Sequence, residues 1–171
     1  MRTGREPGRL TGVRQQLTWI EADFAALDRP SVHDACAAFA SDTVVHAGWA
    51  GVAGRERNET RQVQRNLPAA VELTHLAGAS GARHFIGLGS QADYGECAGR
   101  ISEVQPLRPT TLYGAAKVAA AVLTRTVAEQ VGMQHSWLRV FSTYGSGADP
   151  SWVLSTIGLG RCSVSSRSRV P

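Results

Sequence analysis

Short apolar runs alternate along this chain with longer stretches of helical period. Leu17–Glu21 reads as a strand that ends before Asp23. Pro30 and Ser31 then start a helix through Ala40, with Val32, Cys36 and Ala40 along one side. Thr43–His46 is a second strand, followed by a helix from about Glu59 to Gly78. Pro68 lacks a backbone donor, so it should kink that helix or mark its true start. Phe85–Leu88 is a short buried strand, and a loop carrying Pro106 and Pro109 leads to a helix over Thr111–Gly132. A strand over Ser136–Phe141 and a short helix near Pro150–Ile157 close the pattern. Strands alternating with helices predict βαβ units: an α/β, Rossmann-like parallel sheet with helices on both faces.

One side-chain pair stands out against this framework. Lys117 is the only lysine in 171 residues, and it follows Tyr113 by four positions in Tyr-Gly-Ala-Ala-Lys. Residues four apart share a helix face. The spacing therefore brings a phenol and an ammonium together, and a nearby cation favours phenolate over phenol. Lysine's compact head can also hydrogen-bond a ligand. A Tyr-x-x-x-Lys is equally compatible with a solvated helix face. The second element is Ser90, at the end of the Phe85–Leu88 strand and 23 residues before Tyr113. In an open parallel sheet, ligands bind outside the carboxyl ends of the strands. Ser90 there is either a turn former or the third member of a Ser–Tyr–Lys set.

Five ordered segments extend the pattern. They are Asp42-Thr-Val-Val-His-Ala-Gly48, Asn66, Ser90-x-x-x-Tyr94-Gly95, Leu112-Tyr-Gly-Ala-Ala-Lys117 and Leu138-Arg-Val-Phe-Ser-Thr-Tyr-Gly145. Over Leu17 to Ile157 the chain thereby resembles the extended short-chain dehydrogenases/reductases, the NAD-dependent epimerase/dehydratase family, which act largely on nucleotide sugars. The resemblance implies an NAD or NADP cofactor and a nucleotide-sugar substrate, and is compatible with a homodimer. It makes Tyr113 the general acid/base, Lys117 the holder of the nicotinamide ribose, and Ser90 the donor that orients the reacting oxygen. It places Asp23 and Phe24 near the adenine, Ala47, Gly48 and Trp49 in the turn against the cofactor, and Asn66 behind that turn. Trp49 stands where the family prefers a small residue. Phe141 falls at a further cofactor contact, and Gln91 and Ser142 at substrate contacts, Ser142 where the family usually has asparagine. Dehydratases of the family follow the active-site hydroxyl with Asp-Glu. Here Gln91 and Ala92 follow Ser90, and neither is an acid or base. Epimerisation or reduction of a 4-keto sugar is the expected reaction.

Composition fits a soluble cytoplasmic domain without a membrane span or a signal-peptide core. Cys36, Cys97 and Cys162 are widely spaced and point to neither disulfides nor a metal site. The net charge of +4 sits at the ends: residues 1–14 and 159–171 together carry +6, leaving 15–158 at −2. That distribution excludes a basic nucleic-acid face. The chain divides into a basic segment over 1–16, a partial NAD(P)-binding domain over 17–158 and a Ser/Arg-rich tail over 159–171 that reads as disordered. No Gly-rich turn joins a first strand to a first helix, since Gly4, Gly8 and Gly12 follow no apolar strand. The first βαβ unit and the C-terminal substrate lobe are thus expected to be missing, with weak dinucleotide binding as a consequence. A non-catalytic remnant and a nucleotide-binding interaction module are the competing readings.

Overall fold

A computed structural model of the chain describes residues 11–143. Three strands, β1 (Thr43–His46), β2 (His84–Ser90) and β3 (Gln134–Val140), form one parallel sheet in the order β1-β2-β3. Three helices, α1 (Pro30–Phe39), α2 (Leu67–Ala79) and α3 (Leu112–Gln130), lie between and before them. Among the described residues the fold is the expected α/β, Rossmann-like arrangement.

The register aligns Val44 with Phe85 and His135, and His46 with Gly87 and Trp137. Because side chains alternate along a strand, these residues share one face of the sheet. On that face Phe85 is wholly buried among Ala77 of α2, Ala128 of α3, Ala82 and Met133, with Val44 and Leu73 against them. α2 and α3 approach closely through small residues. A side chain at Gly78 would meet the Val131 methyl at 2.7 Å. The Trp137 indole lies flat across β2, against Gly87 and Gly89, in space that a Cβ at either glycine would occupy. His135 stacks between Phe85 and Trp137, with ring centroids 5.9 and 6.2 Å away.

α2 and α3 both cover the Phe85 face of the sheet. β1-α2-β2 and β2-α3-β3 step in the same direction across the sheet, and right-handed crossovers in one direction put both helices on one face. The opposite face leaves Val45 56%, Leu138 50% and Val140 37% exposed. α1 joins neither layer of the sheet core. Its Val32 packs with Leu27 and Leu76 of α2, beside Cys36 and Phe24.

The remaining element predictions fare unevenly. β1 matches its predicted span, and β2, β3, α1 and α3 differ from theirs by one or two residues at most ends. Pro68 sits in the first turn of α2, marking a true start as its missing N–H requires. Ahead of it, Gln62–Asn66 forms a π-helical turn in place of regular α-helix. The expected Leu17–Glu21 strand does not form: a 3₁₀ turn over Thr11–Gln16 is followed by irregular backbone to Asp23. No described strand pairs with that run, and Leu17, Trp19 and Ile20 stay exposed. The predicted Pro150–Ile157 helix, the 159–171 tail and most of the 1–16 segment lie outside the described residues. The compact unit ends at Phe141.

Candidate functional site

Ser90 ends β2 in extended backbone and caps the 3₁₀ turn Gln91–Asp93, its Oγ accepting from the Ala92 N–H at 3.2 Å. Thr111 caps α3 in the same way, its Oγ1 accepting from the Gly114 N–H at 3.1 Å. These two capped turns abut. A Cβ at Gly114 would stand 2.5 Å from the Ala92 carbonyl oxygen, so glycine beside Tyr113 is what lets α3 rest against the Ser90 turn. The start of α3 is held further by Leu112 N–H donating to Asn58 Oδ1 at 3.1 Å and Tyr113 N–H donating to the Arg57 carbonyl at 2.8 Å.

Lys117, one turn into α3, is 4% exposed and donates from Nζ to the Leu88 carbonyl at 2.6 Å. That bond ties the ammonium to the carboxyl end of β2, two residues from Ser90. Its other surroundings are aromatic. The Trp49 ring centroid is 3.8 Å from Nζ, that of Tyr113 5.9 Å and that of Trp137 6.0 Å. Cation–π contact partly compensates such burial. Burial still pulls the ammonium down from 10.5 to about 8, opposed by the charge of Asp93. Tyr113 is itself buried, edge-on to Trp49 at 6.3 Å, with the Arg57 guanidinium 5.2 Å from its ring centre. Tyr113, Lys117 and the Ser90 turn are thus gathered at one sheet edge. Among the described residues no hydrogen bond joins the Ser90 hydroxyl to Tyr113.

The turn after β1 forms the facing wall. Asn66 binds Ala50 twice, donating to its carbonyl at 2.8 Å and accepting from its N–H at 3.1 Å. Gln62, wholly buried, accepts from Trp49 Nε1 at 2.8 Å and donates to the Gly51 and Glu56 carbonyls at 2.7 and 3.1 Å. Asn66 therefore ties down the turn through Ala50, without capping α2. Gln62 was missed in the sequence, although it lies four residues before Asn66 on the same helical face. Ala47 is exposed. The Phe24 ring presses on Gly48, in space that a side chain there would take. Asp23 turns the other way: it accepts from the Ala25 N–H at 3.0 Å and pairs with Arg65 at 3.1 Å. That N–H first, and Arg65 second, hold its carboxyl below the ordinary range.

Four more polar groups converge here without having been singled out. His46, buried among Phe24, Trp49 and Phe85, has both ring nitrogens without a hydrogen-bond partner among the described residues. Desolvation, then the Lys117 charge, lower it to about 4. Asp93, fully buried in the Ser90 turn, accepts from Trp137 Nε1 at 3.4 Å and lies 3.4 Å from Arg139 Nε. Burial raises its carboxyl above the ordinary range, against the Trp137 hydrogen bond, the Arg139 charge, the Ser90 backbone N–H and the Lys117 charge. Arg139 and Trp137 are two apart on β3, and that alternation is the signal that could have placed both on the Lys117 face. Gln91, Phe141 and Ser142 are exposed; Phe141 touches only the Tyr94 ring among described aromatics, at 6.1 Å. No described group of His, Cys, Asp and Glu side chains could hold a metal ion, and no described helix is long and apolar enough to cross a membrane.

Comparison with solved structures finds the same fold. The UDP-Glc/GlcNAc 4-epimerase from Campylobacter jejuni is similar with a TM-score of 0.65 at 23% identity, over 77% of this chain and 40% of that one. The UDP-glucuronic acid 4-epimerase from Bacillus cereus, solved in complex with NAD, gives 0.64 at 19% identity, over 85% and 46%. MoeE5, solved with UDP-glucose and NAD, gives 0.61 at 26% identity, over 80% and 45%. The chain spans less than half the length of each. No curated protein matches it. The model of the NAD dependent epimerase/dehydratase family matches residues 3–159. With so much of its length matched, on a parallel sheet of this form, the chain belongs to the NAD dependent epimerase/dehydratase family.

Proposed function

We propose that residues 17–158 form the part of a nucleotide-sugar epimerase or 4-keto-sugar reductase that carries Ser90, Tyr113 and Lys117 as its working groups. The observation that carries this reading is the burial of the Tyr113 phenol and the sole lysine together at the carboxyl end of β2. Tyr113 would move the proton of the sugar hydroxyl or carbonyl, and Ser90 would donate to the same oxygen and fix its direction. Gln91 and Ser142, both exposed, are placed by sequence on the substrate side.

The donor set fits the ribose of a nicotinamide dinucleotide, NAD or NADP. One Lys117 N–H goes to Leu88, and the other two meet only π faces, leaving them able to serve ribose hydroxyls. Asn66 and Gln62 would hold the Ala47–Gly48–Trp49 turn, with Phe24 against Gly48, and Asp23 and Phe141 would supply the further cofactor contacts that the family resemblance implies. The bound dinucleotide would supply the hydride exchange that these side chains cannot. The chain's own rings currently cover these surfaces: Phe24 on Gly48 and Trp49 over Lys117. That coverage favours a second reading, a family member that holds nucleotide weakly or without turnover.

Product analysis by NMR, after incubating the purified chain with NAD(P) and UDP-linked sugars, separates the two. Under the first reading Tyr113→Phe lowers turnover by about 10²-fold or more, within the usual range for a general acid/base. Turnover equal in wild type and Tyr113→Phe would remove Tyr113 from the chemistry. Nucleotide binding with no turnover in either would establish the second reading.

A further inference from the structure

We propose that Asp93 is a positioning residue: the buried counter-charge that keeps Lys117 an ammonium and steadies it through the Trp137 indole. Two opposite charges lie in one dry pocket with little else to satisfy them. Lys117 is 4% exposed, has a single hydrogen-bond acceptor, and has no carboxylate at ion-pair distance among the described residues. Asp93 is 0% exposed, and its Oδ1 has no partner among the described residues. Its other oxygen has two weak side-chain partners, and the Ser90 backbone N–H also favours the carboxylate. The Trp137 N–H reaches it at 3.4 Å, and Arg139 Nε lies 3.4 Å away but is not aligned for a hydrogen bond.

A carboxylate taken out of water without full compensation is costly, so its retention calls for a further partner. Trp137 links the two charges physically. Its N–H points to Asp93 while its ring faces Lys117 at 6.0 Å. Hydrogen bonding of an indole N–H to a carboxylate enriches the π face that the ammonium meets. The other charged or titratable groups around Lys117 are few. Tyr113 comes from α3 and His46 from β1, while Arg139 on β3 sits beyond Asp93 and is partly solvated. His46 is neutral above about pH 4 and does not supply a negative charge. Beside the Leu88 carbonyl and the aromatic rings, Asp93 is the charged group of this pocket that opposes the loss of the Lys117 proton.

The sole lysine makes the test specific, since [13Cε]-lysine labelling yields one resonance to titrate. Asp93→Asn keeps an acceptor for the Trp137 N–H and removes only the charge. In that variant the Lys117 midpoint should fall by about one unit or more, the usual effect of losing a close opposite charge. An unchanged midpoint in a folded variant would overturn the proposal. Coupling between two sites is reciprocal. A second measurement therefore leaves Asp93 in place, should the Asn variant fail to fold. In Lys117→Met, the Asp93 carboxyl carbon should titrate at higher pH than in wild type, and an unmoved Asp93 would equally refute the coupling. The proposal rests on the reading of Lys117 as the ammonium of the Tyr113 site. Neither titration needs turnover, so absent activity would defeat that reading while leaving the Asp93–Lys117 coupling to stand or fall on its own.

Discussion

Burial of Lys117, a working group under the proposed function, costs the fold stability. A fall from 10.5 to about 8 corresponds to about 3 kcal/mol against the buried charge, at 1.36 kcal/mol per unit. Because the folded value is depressed, this contribution favours the fold fully above pH 10.5 and is lost as pH falls to about 8. Lys117→Met should accordingly unfold at higher urea than wild type at pH 7, by about 1–3 kcal/mol, with the gap closing near pH 10.5. A less stable methionine variant at neutral pH would mean that the Leu88 bond and the aromatic rings outweigh desolvation. Trp49 acts on the same ammonium from the other side. An indole held over a cation is worth about 0.5–2 kcal/mol, and it must leave before a ribose can take its place. Trp49→Ala should therefore tighten NAD(H) binding by about tenfold in a fluorescence titration, whereas weaker binding would make the indole a cofactor contact.

At the scale of elements, the helices and strands with strong periodicity were legible, and the segments between them were not. Thr43–His46 alternates between the wet and dry faces of a half-covered sheet, so its pattern and its structure agree. Leu17–Glu21 has the same apolar character but pairs with no strand among the described residues, and apolar content alone cannot make a strand. The Tyr113–Lys117 pair was legible because helix geometry fixes an i, i+4 contact locally. Gln62, Asp93, Trp137 and Arg139 were not, since their roles arise only when separate elements meet. His46 belongs with them. It ends β1 in a ring of aromatics, and its value near 4 means that its contribution to stability is present above 6.5 and lost as pH falls through about 4. Between those limits wild type should lose about 3 kcal/mol more than His46→Leu, followed by denaturant unfolding at pH 7 and pH 4. Equal acid sensitivity in the two proteins would show that His46 finds a proton-accepting partner.

For the molecule as a whole, one consequence of the topology is that a single face of the sheet carries both crossover helices together with His46 and Trp137, while Ser90 ends the central strand in register with Val140. The βα turn after β1, the Ser90 turn after β2 and the first turn of α3 all meet at the carboxyl end of that face, where ligands of open parallel sheets bind. The opposite face leaves Val45, Leu138 and Val140 exposed. Under the proposed function Lys117 joins the site to dinucleotide chemistry, and calorimetric titration with NAD(H) and NADP(H) reads that link most directly. Comparing Trp49→Ala with Trp49→Ala/Lys117→Met removes the covering indole from both. Loss of about tenfold or more in affinity with the lysine is the expected result. Equal affinity in the two variants, or dinucleotide binding indifferent to Lys117, would contradict the placement of the cofactor ribose at the Tyr113–Lys117 pair.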